Sequence, residues 1–206
     1  MISGTLGRSL HHDLKLLTDF GDTAVLLPLS LVFFIWLLAT HRAGTALIWL
    51  AIVLACNIVI GALKLYFLSC PAGDMLRSPS GHTGFGILVY GSITLVLARA
   101  VRRRWLRRLV VALGAGLVAA IAISRLILGN HSLIEIAIGA AIGGASLAVF
   151  ARLYRPGSSR RRPFVVLAAV AVLVAFIFHG QQLKAEGFLR AVGLQLGLGG
   201  EACRYR

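Results

Sequence analysis

The fold is decided by residues 45–68, TALIWLAIVLACNIVIGALKLYFL, a run of 24 residues in which Lys64 is the one charged side chain. A helix needs about 20 predominantly apolar residues to cross the roughly 30 Å hydrocarbon core of a membrane. A surface helix of a soluble protein would instead carry a polar face along its length. Residues 45–68 therefore predict a membrane-spanning helix.

Five further apolar runs extend this prediction from one helix to a bundle. The chain of 206 residues is 58% hydrophobic and 14% charged, whereas soluble domains are about 45–50% apolar and about 25% charged. This composition excludes a soluble enzyme. Gly139 and Gly143, four residues apart, indicate close helix packing within the bundle. The predicted fold class is all-α, a polytopic membrane helical bundle of about six transmembrane helices, with spans at about 22–40, 45–68, 83–99, 109–128, 132–151 and 163–180.

The two ends of the chain are predicted to lie outside the membrane. Residues 1–21 are too polar to span it and lack the uninterrupted apolar core of a cleaved signal peptide. We interpret them as a surface segment of the interfacial-helix type. Residues 22–180 then form a single membrane domain, and residues 181–206 form a C-terminal tail.

The net charge of +14 is unevenly distributed among the loops. The loops after the first, third and fifth runs contain twelve of the 21 basic residues and none of the seven acids. Since positively charged loops are retained in the cytoplasm, these loops are predicted to be cytoplasmic, with both termini outside. Cys70 and Cys203 both fall on the outer side, where a disulfide can form. Binding of nucleic acid or anionic lipid is the alternative interpretation of the Arg-rich loops, and no nucleic-acid partner is predicted.

Polar residues interrupt the apolar pattern at the predicted outer ends of the second and third runs. Lys64 lies about one turn before the end of the second run, and Pro79-Ser80-Gly81-His82 opens the third. Proline in a first helical turn is preorganised for the helix. The free amides of Ser80, Gly81 and His82 would then form an anion site at the positive end of the helix dipole. Snorkelling to the interface is the alternative interpretation of Lys64.

A second polar group lies between the fourth and fifth runs. Arg125 ends the fourth run, and His131 and Glu135 lie at the start of the fifth. Because His131 and Glu135 are four residues apart, a helix places them on one face, where the carboxylate can accept a hydrogen bond from the imidazole. Such an acid fixes the tautomer and raises the basicity of the other ring nitrogen, as a nucleophilic histidine requires. Each residue alone is equally an interfacial anchor or an ion-pair partner, but ionisable residues in membrane segments favour function.

Together these residues resemble two signature motifs of the type-2 phosphatidate phosphatase (PAP2) superfamily of lipid phosphatases, which also includes vanadium haloperoxidases. Pro79–His82 matches the second motif, and Arg125, His131 and Glu135 match the third. The two histidines are 49 residues apart, which is the length of two spans and a loop, so both are expected at the same face of the membrane. The resemblance covers residues 64–135.

The resemblance implies a role for each of these residues. His131 would be the nucleophile that attacks phosphorus and forms a phosphohistidine, and His82 would be the general acid. Glu135 takes the position of the acid, normally Asp, that orients the nucleophile. The implied chemistry needs no metal and no cofactor, which agrees with a chain that offers cations rather than clustered carboxylates. The phosphate-binding positions of the family are matched by Lys64, Ser80, Gly81 and Arg125.

One signature residue of the family is missing from this chain. The first motif is Lys, six residues and then Arg-Pro, but counting from Lys64 puts Pro71 and Ala72 at the Arg-Pro positions. Arg77 is the nearest cation. Our hypothesis is that Arg77 binds the phosphate in place of the missing arginine.

The function implied by the resemblance is that of an integral membrane lipid phosphatase. The substrate class would be a lipid phosphate or pyrophosphate, such as phosphatidate, phosphatidylglycerol phosphate or polyprenyl pyrophosphate. The compact, Ala- and Arg-rich chain resembles bacterial members, which implies a multi-pass inner-membrane protein with its active site facing the periplasm. Two alternatives stay open: a lipid phosphotransferase that uses the same phosphohistidine, and a non-catalytic lipid-binding or transport protein on the same scaffold.

Overall fold

The computed structural model describes residues 2–41, 43–69, 78–155 and 164–181, and within these ranges the chain is helical with no strand. The predicted all-α bundle is therefore confirmed. The seven helices are α1 (Ile2–Asp19), α2 (Thr23–Thr40), α3 (Ala43–Ser69), α4 (Gly81–Ala100), α5 (Arg104–Ile127), α6 (Leu133–Leu153) and α7 (Phe164–Phe178).

The helices have the length and surface of membrane spans. By length and composition, five apolar stretches can cross a membrane, and α7, with 15 residues, is apolar but shorter. Large apolar side chains such as Leu47, Ile58 and Leu113 are exposed on the outside of the bundle, where a lipid environment would cover them. The chain is a multi-pass membrane protein. The five stretches are His11–Thr40, Ala43–Phe67, Gly81–Ala100, Arg104–Ile127 and Leu133–Leu153.

The helix bounds lie within a few residues of the predicted spans, with the largest difference at the start of α5. We predicted a loop over residues 100–108, but α5 begins at Arg104 and only residues 101–103 separate it from α4. Arginine is a good helix former. The helix therefore continues beyond the apolar run into the basic stretch.

A buried aromatic cluster joins α2, α3 and α6. The ring centres of Phe33 and Trp49 are 4.9 Å apart, and those of Phe33 and Phe150 are 6.0 Å apart. Both pairs pack edge to face, the arrangement that aromatic rings favour. All three side chains are fully buried, and Leu88 of α4 belongs to the same core. This core fixes the four helices relative to one another.

One end of the bundle, where α2, α4 and α6 finish, carries the exposed arginines. His41 Nε2 lies 2.9 Å from the hydroxyl of Tyr154, and the guanidinium carbon of Arg99 lies 5.3 Å from the centre of the Tyr154 ring. Arg99 also donates to the carbonyl oxygen of Ala151 at 3.3 Å. We call this the arginine end, and the opposite one the site end. The exposed arginines described here are Arg99, Arg102, Arg103, Arg104, Arg107, Arg108, Arg152 and Arg155.

The N-terminal segment forms α1, which packs against α5 at the site end. The Leu16 carbonyl oxygen lies 2.7 Å from Nε2 of His179, just after α7. The polar side chains of its middle turns are exposed, whereas Thr18 and Asp19 at its end are buried. The tail beyond residue 181 and both cysteines of the disulfide prediction lie outside the described residues.

Candidate active site

Glycines allow α4 and α6 to approach until their backbones touch. A Cβ atom on Gly139 would collide with the carbonyl oxygen of Ser80, and one on Gly143 would collide with the carbonyl oxygen of Gly84. This is the close approach that small residues four apart permit between membrane helices. At the site end the backbone N–H of Ser80 donates to the carbonyl oxygen of Glu135 at 3.1 Å. The two segments that carry the predicted site are therefore in direct contact.

The start of α6 places Glu135 against His131. Oε2 of Glu135 accepts a hydrogen bond from the backbone N–H of Ser132 at 2.9 Å and lies 3.1 Å from Nδ1 of His131. Oγ of Ser132 in turn accepts from the Glu135 N–H at 3.3 Å, which completes a capping box. Since an ionised carboxylate only accepts hydrogen bonds, Nδ1 carries the proton and Nε2 keeps a free lone pair. The helix cap thus also orients the imidazole.

A tight turn between α5 and α6 brings His131 close to Arg125. Gly129 has a φ of 67°, in the left-handed region that favours glycine. After it, the backbone N–H groups of Asn130 and His131 both point to the carbonyl oxygen of Arg125, at 3.1 and 3.3 Å. The backbone of the turn therefore sets the position of His131 relative to the end of α5.

The environment of His131 favours the neutral imidazole. His131 is 8% exposed, and this burial lowers its pKa below the usual range. The hydrogen bond to Glu135 raises the pKa in part, whereas the positive charges of Arg125 and Lys64 lower it. The form with a lone pair on Nε2 is therefore the major one near neutral pH.

The first turn of α4 differs from its prediction in two respects. The helix begins at Gly81 with Ser80 as its N-cap, so Pro79 precedes the cap and is not in the first turn. The Ser80 amide, predicted to be free, is bonded to a carbonyl of α6, and its hydroxyl caps the helix. That part of the prediction is wrong because the contact between α4 and α6 uses this N–H. The amides of Gly81 and His82 are the first two of the helix, which have no partner within it.

Lys64 and Arg125 bring positive charge to both histidines. Lys64 lies on α3, 9% exposed, with its Cε next to the position that a side chain on Gly81 would occupy. Its charge and that of Arg125 act on both His82 and His131. The structure thus gathers two imidazoles and two cations from α3, α4, α5 and the turn before α6. Such a set can bind an oxyanion and stabilise charge that develops on it.

Asp22 is a site neighbour that the sequence analysis missed. Its Oδ2 lies 3.5 Å from Nε2 of His82. Asp22 is the N-cap of α2, and its Oδ1 accepts a hydrogen bond from the Ala24 N–H at 2.8 Å. The sequence carries one signal, an acid at the start of the first apolar run, but nothing in it links residue 22 to residue 82.

Arg77 lies in the segment 70–77, outside the described residues, so the hypothesis that it replaces the missing arginine stays a prediction. Among the residues that the structure describes, no group of three or more His, Cys, Asp or Glu side chains is arranged to hold a metal ion.

The fold and this cluster define a multi-pass membrane protein that gathers two imidazoles and two cations at one end of its helical bundle. Residues 67–159 match the family model of the PAP2 superfamily, and this match supports membership of that superfamily, whose members are typically phosphatases. The matched region contains both histidines, Arg125 and Glu135, and it begins three residues after Lys64.

A relative extends the similarity over most of the chain. The chain is 29% identical over 191 residues to a protein of Klebsiella pneumoniae described as an "Uncharacterized 22.5 kDa protein in cps region". That alignment covers 89% of this chain and 91% of the relative. No solved structure matches the chain.

Proposed function

We propose that this protein is an integral membrane lipid phosphatase that hydrolyses a lipid phosphate or pyrophosphate through a phosphohistidine on His131. The observation that carries the proposal is the buried pair of His131 and Glu135. Nδ1 of the imidazole is 3.1 Å from the carboxylate, which leaves Nε2 as the nucleophile. The charges of Lys64 and Arg125 act on the same ring and suit a dianionic phosphate.

In the first step the lone pair on Nε2 of His131 attacks phosphorus. A P–N bond forms as the bond from phosphorus to the leaving oxygen breaks. The leaving oxygen takes that electron pair and a proton from the imidazolium of His82. Lys64 and Arg125 stabilise the negative charge on the other phosphoryl oxygens, and the first amides of α4, at Gly81 and His82, add hydrogen bonds.

In the second step water releases the phosphoryl group. His82, now neutral, accepts a proton from a water molecule while the water oxygen attacks phosphorus. The P–N bond breaks and its electron pair returns to Nε2 of His131. Inorganic phosphate leaves, and both imidazoles regain their starting protonation states.

The surface beside the site supports a lipid substrate. Leu126 and Ile127 follow Arg125 at the end of α5, and Leu133 and Ile134 follow His131 at the start of α6, and all four side chains are exposed. Apolar side chains beside a cationic cluster match a molecule with a phosphate headgroup and a hydrocarbon tail. An acyl or prenyl chain in the bilayer can lie against them while its phosphate reaches the histidines.

The charge distribution supports a site that faces the periplasm of a bacterial inner membrane. The exposed arginines lie at the arginine end, and positively charged loops are retained in the cytoplasm. The site end then lies at the outer face of the membrane. Cysteine accessibility labelling in intact cells would test this orientation. With the three native cysteines replaced by serine and single cysteines introduced at Asn130 or Arg102, only Asn130→Cys should react with an impermeant maleimide.

Phosphate release by the purified protein tests the proposed activity. The substrates are phosphatidate, phosphatidylglycerol phosphate and a polyprenyl pyrophosphate in mixed micelles. We expect release from at least one lipid, its loss in His131→Ala, and its retention in His12→Ala, which removes an exposed histidine of α1. Release that persists in His131→Ala, or release from none of the lipids, would contradict the proposal. Transfer of the phosphoryl group to an added alcohol in place of water would instead indicate a phosphotransferase.

A further inference from the structure

The carboxylate of Asp22 is held in a defined position close to the site. Asp22 is 7% exposed. Its backbone N–H donates to the carbonyl oxygen of Asp19 at 3.0 Å, and its Oδ1 accepts from the N–H of Ala24 at 2.8 Å. Its Oδ2 is thereby directed to Nε2 of His82, 3.5 Å away. Burial of a carboxylate is costly unless the charge is paired, and the imidazole provides a partner.

Two further contacts hold the turn that carries Asp22 against α4. The hydroxyl of Tyr90 donates to the carbonyl oxygen of Phe20 at 2.7 Å, and Tyr90 lies about two turns after His82 on the same side of the helix. Gly21 lies in the same turn, close to α4 and α5. A Cβ atom on it would lie 2.6 Å from Cγ2 of Ile121 and 3.3 Å from Cβ of His82, so the absence of a side chain allows the turn to approach these helices. The distance from the carboxylate to the imidazole is therefore set by the backbone of this turn.

The charges around His82 indicate that Asp22 does more than pack against the imidazole. The charged groups that act on this imidazole are Asp22 from the turn before α2, Lys64 from α3 and Arg125 from α5. The two cations disfavour an imidazolium, and a carboxylate in contact with the ring favours it. A general acid must carry its proton when the leaving group departs. Of the three charged groups Asp22, Lys64 and Arg125, Asp22 is the one that stabilises the imidazolium form of His82.

We propose that Asp22 is a positioning residue for His82, which orients the ring through Nε2 and stabilises the imidazolium that protonates the leaving oxygen. Nδ1 of His82 is then the atom that delivers the proton, while Nε2–H stays bonded to the carboxylate. The inference rests on the proposed function, because His82 is the general acid of that reaction. Each histidine of the site would have its own carboxylate, Glu135 for His131 and Asp22 for His82.

The variant Asp22→Asn separates this role from the helix cap. Asparagine caps helices as well as aspartate does, so the start of α2 is preserved while the negative charge is lost. Asp13→Asn is the matched control, because it removes one negative charge from an exposed position on α1. Asp22→Glu restores the charge, and it keeps the test decisive if the asparagine variant folds poorly.

The experiment compares two leaving groups in the purified protein. A lipid phosphate releases an alkoxide, which needs a proton, whereas p-nitrophenyl phosphate releases a phenolate that departs without one. We compare kcat/KM, which reports the step in which the leaving group departs and not the later hydrolysis that both substrates share. For Asp22→Asn we expect kcat/KM for the lipid phosphate to fall about 10- to 100-fold, and kcat/KM for p-nitrophenyl phosphate to fall less than about threefold. Asp22→Glu should recover part of the lipid activity, and Asp13→Asn should match the wild type on both substrates.

Unchanged kcat/KM for the lipid phosphate in Asp22→Asn would overturn this inference, and so would an equal loss of kcat/KM on both substrates, which is the signature of a structural role. If Asp22→Asn does not fold, then Asp22→Glu with the same activity loss on both substrates overturns it as well. Failure of the proposed function looks different. The wild type would then release no phosphate, or release would persist in His131→Ala, and the inference would fall together with it.

Discussion

The backbone N–H of Ser80 donates a hydrogen bond to the carbonyl oxygen of Glu135 at 3.1 Å. Ser80 caps the helix that carries His82, and the side chain of Glu135 contacts His131. One main-chain contact thus joins the segments that carry the two histidines. The spacing of the two imidazoles depends on how closely α4 and α6 pack, and therefore on the glycines between them.

Gly139→Ala tests this dependence. A Cβ atom at residue 139 would collide with the Ser80 carbonyl oxygen, so the helices must separate. We expect a loss of about 1–3 kcal/mol in the free energy of unfolding. Phosphate release should fall by at least about tenfold, since misplaced catalytic groups lose much of their effect. Thermal unfolding in detergent and an activity assay measure the two quantities.

Gly144→Ala is the matched control for that substitution. A Cβ atom at residue 144 meets nothing within 4 Å, so stability and activity should equal those of the wild type. If the two alanine variants behave alike, close packing of α4 on α6 does not position the site.

Glu135→Gln tests the orientation of the nucleophile. The amide keeps the size of the side chain but no longer selects the tautomer with the proton on Nδ1, so we expect turnover to fall about 10²- to 10⁴-fold. Glu135 raises the pKa of His131, and its loss lowers that pKa further. The acid limb of kcat/KM should therefore move to lower pH in a pH–rate profile. A limb that stays in place or moves to higher pH would contradict this role.

Lys64→Gln should move the same limb in the opposite direction. The Lys64 charge lowers the pKa of His131, so its removal raises the pKa and moves the acid limb to higher pH. Inhibition by inorganic phosphate should weaken as well, because a cation of the anion site is lost. Lys15→Gln removes an exposed lysine of α1 and should change neither quantity. Equal shifts in the two variants would indicate a general effect of net charge.

The parts of this protein that could be predicted are those that depend on neighbours in sequence. The spans follow from runs of apolar residues. The contact of His131 with Glu135 was predicted from their spacing of four, but the reason given was wrong: His131 precedes the N-cap Ser132, and the capping box rather than a shared helix face brings the two side chains together. The start of α5 at Arg104 was not predicted, because hydropathy does not register the helix propensity of arginine.

Contacts between distant segments were harder to predict. The hydrogen bond of the Ser80 N–H and the approach of Asp22 to His82 depend on how α4 packs against α6 and against the turn before α2. Hydropathy gives the length of each helix but neither its rotation nor its neighbours. The sequence therefore predicted residues that lie together at the site end, and it missed the backbone contacts and the acid that position them.

Trapping a phosphorylated His131 tests the central claim most directly. Phosphohistidine survives alkali, so the protein is mixed with a lipid phosphate, quenched in alkali within milliseconds, digested and examined by mass spectrometry. The account predicts a phosphorylated peptide that contains His131, formed at least as fast as phosphate is released and absent from His131→Ala. Phosphate release without this peptide, or a phosphorylated histidine elsewhere in an active His131→Ala protein, would contradict the account.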